Sequence, residues 1–290
     1  MSEAASSHAE ERNDDLTVII PTWNSETRLG RALESVERNL RPGRVIVVDR
    51  ESQDRTQDIA REHQAEVLID VVSLGSARMK GVRSCRSKWV CFVDDDISIP
   101  CEFMPTARDA LDEDVGAIQG AVVSVHHPYR TMLLEEYEDR FRGGDRFDLR
   151  AGERGLTSAT LIRKDLIDDL ELGDMNTWED WLITPRVIGS GHRWVVSRPY
   201  VDHFHEYEDL ARKGGWNAAG ILNLGRTGRM PFSQALRWYL EVVAEIPSKA
   251  ISLTVRFRDP ALFFLYVRLL GHVLMAPRHV IGVVPRKVRS

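Results

Sequence analysis

The chain has 290 residues, of which 43% are hydrophobic and 29% are charged, proportions typical of a globular protein with a sizeable core. A formal net charge of −5 does not suggest a nucleic-acid-binding protein, whose surface would be basic. The charge is uneven, because residues 247–290 contain eight Lys or Arg and one Asp, about +7, which leaves about −12 on the rest. This asymmetry indicates a partner for the C-terminal region.

The N-terminal residues 1–15 are polar and acidic and lack the apolar segment of a signal peptide. We predict that they form a disordered tail. The three cysteines, an odd number without metal-finger spacing, indicate reduced thiols in a cytoplasmic protein. They are Cys85, Cys91 and Cys101.

Short runs rich in β-branched residues predict strands at 16–20 and 44–49, with a helix at 26–40 between them. The alternation then continues along the chain. The further predicted elements are a helix at 53–63, a strand at 66–71, a helix at 76–86, and strands at 89–93 and 115–123. This order predicts an α/β fold, with a mostly parallel sheet and helices on both faces.

Polar residues follow the predicted strands, most notably the three consecutive aspartates Asp94, Asp95 and Asp96. Ligands of such sheets bind beyond the carboxyl ends of the strands. Adjacent carboxylates repel each other unless a cation compensates, and Mg²⁺ or Mn²⁺ binds carboxylates together with phosphate oxygens. A solvated acidic turn, with Asp96 capping the next segment, is the alternative that these residues leave open.

Six stretches in order, from about residue 16 to 205, resemble glycosyltransferase family 2, whose members have the GT-A fold. They are VIIPTWN, VIVVDRESQDRT, GSARMKGV, FVDDDISIP, TLIRKDLI, and WEDWLITPRVIGSGHRWVVSRP leading into YVDHFH. TLIRKDLI resembles the family's acceptor-side helix. Each stretch alone is a weak signal, whereas their order and spacing are specific. The resemblance implies an inverting transfer of a sugar from a nucleoside diphosphate to a hydroxyl acceptor.

On the donor side, the resemblance implies that Pro21, Thr22 and Asp49 line the base pocket. Asp49 would accept a hydrogen bond from a pyrimidine N–H, which favours a UDP-sugar. Arg78 would face the diphosphate, since a guanidinium can bind two oxygens at once. Where the family usually has a second aspartate and a glycine, this chain has Arg50-Glu51. The added cation suggests an acidic donor sugar as one hypothesis.

The resemblance also implies a metal site, with Mn²⁺ or Mg²⁺ as cofactor. Asp96 and Asp94 would hold the ion, and Asp95 would approach the ribose or sugar hydroxyls. His203 corresponds to a histidine that the family often places near the metal, and imidazole suits Mn²⁺ better than Mg²⁺. His205, two residues further on, is the competing candidate.

Inverting transfer needs a base that removes the acceptor's proton. The resemblance assigns this role to Asp180, the second residue of the Glu179-Asp180 pair. Trp178 and Trp181 would exclude water and stack on a sugar face as part of the substrate site. From the residues alone, an acidic first helical turn flanked by core tryptophans remains the alternative.

The C-terminal region contains an apolar segment, 260–277, that includes Arg268 and His272. Its interior spans roughly 24 Å as a helix, short of the ~30 Å hydrocarbon core, so we predict a helix lying in the membrane interface. The residues 234–246 form a second amphipathic candidate. Packing on the catalytic domain or in a dimer interface is the alternative.

Together these features predict a tail at 1–15, a catalytic domain at 16–207 and a basic helical extension at 208–290. We expect a cytoplasmic enzyme, peripheral on the cytoplasmic face of the cell membrane, that extends a lipid-linked or cell-surface glycan. The lipid-linked acceptor is inferred from that location alone. Two alternatives are a sugar-nucleotide nucleotidyltransferase and a degenerate nucleotide-sugar-binding protein. The first usually has a Gly-rich basic loop after its first strand, where this chain has PTWNSETRLG.

Overall fold

The computed structural model describes residues 12–173, 175–205 and 209–281. The described residues form two compact units. The first comprises 12–125, 132–173 and 180–204, and the second comprises 126–131, 175–179, 205 and 209–281. Most of the predicted N-terminal tail lies outside the described residues. Its last three residues belong instead to the first strand, where Asn13 pairs with Pro42.

The elements as far as residue 203 alternate as the sequence predicts. They are β1 (Asn13–Thr22), α1 (Leu29–Asn39), β2 (Pro42–Asp49), α2 (Thr56–Glu62), β3 (Glu66–Ile69), α3 (Leu74–Ser84), β4 (Trp89–Val93), β5 (Ile97–Ser98), α4 (Phe103–Ala110), β6 (Val115–Ser124), α5 (Tyr129–Phe141), β7 (Arg146–Asp148), β8 (Ala159–Arg163), α6 (Asp180–Gly189) and β9 (Arg193–His203). The predicted α/β fold class is confirmed.

The strands form one sheet in the order β3-β2-β1-β4-β8-β6-β9-β5, and β7 pairs with β9. β1 to β4 pair in parallel, as predicted. The second half is mixed, because β8 lies antiparallel between β4 and β6, while β9 is parallel to β6. Two reversals across β8 therefore give β4, β6 and β9 the same direction.

β1 shows that helices cover both faces of the sheet, since successive side chains of a strand point to opposite faces. Val18 and Ile20 belong to one buried cluster with Leu33 of α1 and Phe103 of α4. Ile19 faces the other way, towards Gly81 of α3, where an added Cβ would lie 2.5 Å from an Ile19 methyl group. A strand buried on both faces accounts for the continuous apolar run.

The segment TLIRKDLI differs from the expected helix. Its first four residues belong to β8, whose Ala159–Ile162 stretch is buried between two neighbouring strands, and a single 3-10 turn follows at Lys164–Leu166. Pairing with a neighbouring strand on each side satisfies the backbone hydrogen bonds of this segment as a strand. The resemblance alone did not indicate this pairing.

The second unit contains three helices that pack on one another, α7 (Asp209–Arg226), α8 (Phe232–Phe257) and α9 (Pro260–Ile281). α7 lies within the helical extension predicted at 208–290, although no separate helix was predicted there and glycine disfavours helices. Tertiary packing explains its glycines: an added Cβ at Gly214 or Gly215 would lie 2.0 Å from Leu269 or 2.7 Å from His272 of α9. The glycines therefore allow close approach of α7 and α9.

The predicted boundary at residue 207 lies close to the observed division after 204, but 126–131 and 175–179 group with the second unit. A contact explains the second of these segments, since the Trp178 indole N–H donates to the Asn217 carbonyl of α7 at 3.1 Å.

The helix α9 is longer than predicted, because it continues through Pro277 to Ile281. Its 22 residues span about 33 Å, so length no longer separates it from a membrane-spanning helix. Among the described residues it is the one helix long and apolar enough to cross a membrane, over Pro260–Arg278. Only 28% of that stretch is buried, and its buried side includes Leu262, Leu265 and Val273.

The contact between Gly81 and Ile19 generates a stability prediction. We expect Gly81→Ala to lower the free energy of unfolding by about 1–3 kcal/mol, because the new methyl group forces α3 away from β1. Gly30→Ala is the matched control in α1, since its Cβ would meet nothing nearer than 4.0 Å. The control should be neutral or stabilising by up to about 1 kcal/mol in urea unfolding. Equal stability of both variants would contradict this packing.

Candidate active site

Polar residues at the carboxyl ends of four strands meet at one edge of the sheet. Thr22 ends β1 and lies opposite Asp49, which ends β2, while Asp94 directly follows β4 on the other side of β1. β9 runs in the same direction and ends at His203. The structure therefore brings together most of the residues that the sequence singled out.

The Asp49 carboxylate is completely buried and has four protein hydrogen-bond donors. Its Oδ2 accepts from the hydroxyls of Thr22 at 2.9 Å and Ser52 at 2.5 Å. Its Oδ1 accepts from the Ser52 backbone N–H at 2.9 Å and the Gln57 amide at 2.8 Å. A carboxylate has about four acceptor positions. A pyrimidine N–H that binds Asp49 would therefore have to displace one of these donors or share an acceptor position with it.

Two of those donors, Ser52 and Gln57, were not singled out from the sequence. Ser52 follows the aspartate by three residues, a spacing at which short polar side chains commonly close a turn. The spacing is therefore a usable signal, whereas Gln57 lies on α2 and reaches Asp49 only through the tertiary fold.

Arg50 and Glu51, which stand where the family usually has an aspartate and a glycine, directly follow Asp49. The guanidinium carbon of Arg50 lies 5.4 Å from the centre of the exposed Trp23 ring. Glu51 adopts a left-handed backbone conformation, with φ of 54°, as does Asn24, with φ of 48°. A cation–aromatic pair thus lies directly after Thr22, at the ends of β1 and β2.

Arg78 and Asp94 form an ion pair with each other. The Arg78 Nη2 donates to Asp94 Oδ1 at 2.7 Å, and its Nη1 donates to the Thr157 carbonyl at 3.4 Å. The arginine is 1% exposed and its guanidinium lies over the Phe92 ring. Asp94, predicted to help hold the metal, therefore has its charge compensated by the arginine predicted to face the diphosphate.

Asp95 is held by two residues that the sequence did not single out. The Ser25 hydroxyl and the Arg28 Nη2, the latter at 2.9 Å, both donate to its Oδ2. Burial, and next the neighbouring Asp96 carboxylate, raise the pKa of Asp95, while Arg28 and the Ser25 hydrogen bond oppose that rise. The net rise in the pKa shows that Arg28 and Ser25 offset the cost of the Asp95 charge only in part.

Asp96 and His203 are neighbours, as the predicted metal site requires. The His203 Nε2 lies 3.0 Å from Asp96 Oδ2, because β5 pairs with the end of β9 and sets Ile97 opposite His203. A carboxylate oxygen and an imidazole nitrogen suit Mn²⁺. No group of three or more His, Cys, Asp or Glu side chains suited to a metal occurs in the described part of the chain. Phosphate oxygens would therefore complete the coordination, as is usual for such ions.

Asp180 is the first residue of α6, and its side chain is 7% exposed. Both of its oxygens are bound by Arg154, whose Nε donates to Oδ1 at 2.6 Å and whose Nη2 donates to Oδ2 at 2.9 Å. The sequence did not single out Arg154, since its partner lies 26 residues further along the chain.

The residues that flank Asp180 have different surroundings. Glu179 is buried, and Trp181 of α6 is half-buried. The Trp178 ring lies 6.1 Å from the Trp238 ring, within the second unit. His205, the alternative to His203, also belongs to the second unit, where its backbone carbonyl and its ring both contact His126.

Comparison with known proteins gives a consistent result. Residues 17–170 match the family described as "Glycosyl transferase family 2". A 4,4'-diaponeurosporenoate glycosyltransferase of Staphylococcus aureus is 35% identical over 278 residues, covering 83% of this chain and 70% of that protein. The chain spans about half the length, 54%, of other curated relatives that it matches at 24% and 29% identity.

Two solved structures share the fold. A mannosyltransferase from Pyrobaculum calidifontis, in complex with GDP-Man and Mn²⁺, aligns with a TM-score of 0.62 at 16% identity, over 93% of this chain and 87% of that one. Residues 1–349 of S. aureus TarS, in complex with UDP-GlcNAc, align with a TM-score of 0.53 at 20% identity, over 93% and 83% of the chains. These likenesses agree with the predicted GT-A fold and its C-terminal helical part.

The Arg78–Asp94 pair generates a prediction about stability. We expect Asp94→Asn to lower the free energy of unfolding by about 2–3 kcal/mol, because it removes the negative charge that Asp94 places against the buried Arg78 guanidinium. The effect is reduced by partial hydration, since the Asp94 side chain is 33% exposed. Asp169→Asn, which breaks an exposed pair with Arg186, should cost less than about 1 kcal/mol. Similar losses for both variants in urea unfolding would refute the argument.

Proposed function

Because the chain belongs to glycosyl transferase family 2, we propose that it is an inverting enzyme that transfers a sugar from a UDP-sugar to the hydroxyl group of a lipid-linked acceptor. Membership makes it a nucleotide-sugar transferase, and this argues against a nucleotidyltransferase. The pairing of Asp96 with His203, at the edge where Asp49 also lies, is the observation that carries the proposal.

The donor's base would occupy the pocket of Pro21, Thr22 and Asp49. A pyrimidine N–H would take the place of one donor to Asp49, most readily the Ser52 hydroxyl, which can rotate away. The TarS complex with UDP-GlcNAc supports a UDP-sugar, whereas the mannosyltransferase with GDP-Man shows that the fold also accepts a purine. Arg50 directly follows Asp49 in the sequence, and its guanidinium lies near the Trp23 ring.

The donor's diphosphate would lie next to Asp96 and His203, which would hold Mn²⁺, with Mg²⁺ as the alternative. When bound, the ion supplies positive charge to the departing diphosphate. Asp94 contributes less charge to this site than the sequence suggests, because Arg78 already neutralises it. Asp95, fixed by Ser25 and Arg28, would accept hydrogen bonds from ribose or sugar hydroxyls.

Asp180 would act as the general base. The acceptor oxygen forms its bond to the anomeric carbon as its proton passes to Asp180, and the bond from that carbon to the diphosphate oxygen breaks. The bonding electrons leave with the nucleoside diphosphate. Trp181 would belong to the acceptor side of the site, whereas Trp178 and Glu179, which the family resemblance also places there, group with the second unit.

A carboxylate acceptor is the second candidate. The 35% identical relative is named for 4,4'-diaponeurosporenoate, which is a carboxylate. A carboxylate is already ionised at neutral pH and needs no base, and both oxygens of Asp180 are engaged by Arg154. The two candidates therefore differ in their need for Asp180.

We expect Asp180→Asn to lower kcat for a hydroxyl acceptor by about 10²- to 10⁴-fold, the usual contribution of a positioned base. The measurement is nucleoside diphosphate release from UDP-, GDP- and dTDP-sugars with Mn²⁺, before and after EDTA. Long-chain alcohols and fatty acids serve as acceptors. Donor affinity of the variant should not change.

Asp169→Asn is the matched control, because Asp169 is exposed and paired only on the surface in the described contacts. Full activity of Asp180→Asn with an alcohol would remove Asp180 as the base, and activity with a fatty acid alone would favour the second candidate. Pyrophosphate as product would indicate nucleotidyl transfer. Binding without turnover across the panel would indicate a degenerate protein.

The membrane surface is the proposed partner of the second unit. Large apolar side chains are exposed along α8 and α9, with basic side chains on the same helices. The apolar residues are Phe232, Leu236, Leu240, Ile251, Val255, Phe263, Phe264, Val267, Leu274 and Met275. Such helices bind anionic lipid through both apolar burial and charge. This location supports a peripheral cytoplasmic enzyme and an acceptor within the membrane.

We expect Ile251→Glu/Val255→Glu to reduce binding to vesicles containing anionic lipid by roughly tenfold or more, because both side chains are more than half exposed and would enter the lipid. Val71→Glu/Val72→Glu is the matched control, with the same change at two exposed valines of the first unit. Co-sedimentation with vesicles measures the effect. Unchanged binding of the α8 variant would exclude this surface, and a change from dimer to monomer on gel filtration would identify it as a dimer interface.

A further inference from the structure

The contact between Arg154 and Asp180 stands apart from the surface ion pairs of the chain. The Asp180 side chain is 7% exposed, and the guanidinium binds both of its oxygens. Two parallel N–H···O bonds fix the plane of a carboxylate as well as its charge. Arg186 of the same helix pairs with Asp169, but the side chains of that pair are 44% and 61% exposed.

The segment that carries Arg154 is held in place by buried partners. The Gly155 N–H donates to the Thr184 hydroxyl of α6 at 3.0 Å, and the Leu156 N–H donates to Gln119 Oε1 at 2.7 Å. Trp194 donates to the same oxygen at 3.0 Å. An added Cβ at Gly155 would lie 2.5 Å from the Trp194 ring, so the backbone passes as close to the ring as glycine allows.

This bracing ties Arg154 to the helix that begins with Asp180. Thr184 lies one turn after Asp180 on α6, and it anchors the residue that follows Arg154. Asp180 and Thr184 are four residues apart on α6, so the same helix positions both the carboxylate and the backbone next to Arg154. Such an arrangement sets the direction of the carboxylate before any substrate binds.

A buried base has two requirements that Arg154 can meet. Burial disfavours the ionised carboxylate, and only the ionised form can accept a proton. A free carboxylate also rotates, whereas proton transfer needs an oxygen within hydrogen-bond reach of the acceptor hydroxyl. A guanidinium fork keeps the carboxylate charged and holds its orientation.

We propose that Arg154 is the positioning residue for Asp180, keeping the base ionised and directed at the acceptor hydroxyl; this rests on the proposed function, in which Asp180 is the base. Arg154 acts through Asp180 and contacts no reacting atom. The proposal predicts that its loss slows the chemical step and leaves the donor site unchanged.

The test compares kcat, donor KM and thermal stability for Arg154→Gln and Arg154→Lys. We expect Arg154→Gln to lower kcat about 10²-fold, the loss typical of a misdirected catalytic group, with donor KM within about twofold of wild type. Arg154→Lys should recover part of the loss, because lysine restores the charge without the fork. Arg140→Gln is the matched control, since Arg140 binds both oxygens of Glu153 at 3.1 and 3.0 Å. It should keep wild-type kcat.

The double variant Asp180→Asn/Arg154→Gln separates positioning from folding, because two neutral amides replace the ion pair. We expect it to have the same kcat as Asp180→Asn, since Arg154 has no effect without its carboxylate. An additional loss in the double variant would overturn the proposal. With Asp180→Asn inactive, a wild-type kcat in Arg154→Gln would also overturn the proposal. The same holds if Arg154→Gln loses donor affinity and stability in parallel with kcat. Full activity of Asp180→Asn would overturn both the proposed base and this inference.

Discussion

Parallel pairing of β1 with β2 and with β4 is the constraint on which the rest of the site depends. The register sets Thr22 opposite Asp49, and β4 brings the three aspartates to the same edge from the other side of β1. The antiparallel strand β8 then reverses the direction, and β6 and β9 run the same way as β4. His203 reaches Asp96 only because of this second reversal, since a strand of opposite direction would end at the far edge.

Carboxylates gathered at one edge repel each other, and the fold compensates each one separately. The described partners are Thr22, Ser52 and Gln57 for Asp49, Arg78 for Asp94, Ser25 and Arg28 for Asp95, and His203 for Asp96. Asp180, at the start of α6, has Arg154 as its partner. Buried charges are tolerated when they are paired in this way.

The second unit follows a different principle. Its helices pack through small residues, as at Gly214 and Gly215 against α9, and the helix-disfavouring glycines are retained because close packing offsets their cost. The opposite sides of α8 and α9 keep large apolar residues exposed. Apolar patches of this kind usually mark an interaction surface. The same region carries an excess of basic residues, which would favour an anionic partner for such a surface.

The sequence alone determined the fold class, the order of the first elements and the strand-end positions of Asp49 and Asp94–Asp96, because hydrophobic periodicity and chain order are local properties. It also singled out His203 and Asp180, through a motif order rather than any local signal. Tertiary structure alone decided that Arg78 pairs with Asp94, that Arg154 holds Asp180, and that the glycines of α7 lie against α9. These contacts join residues that are far apart in sequence, or depend on space left by a neighbouring helix. Periodicity carries no information about either.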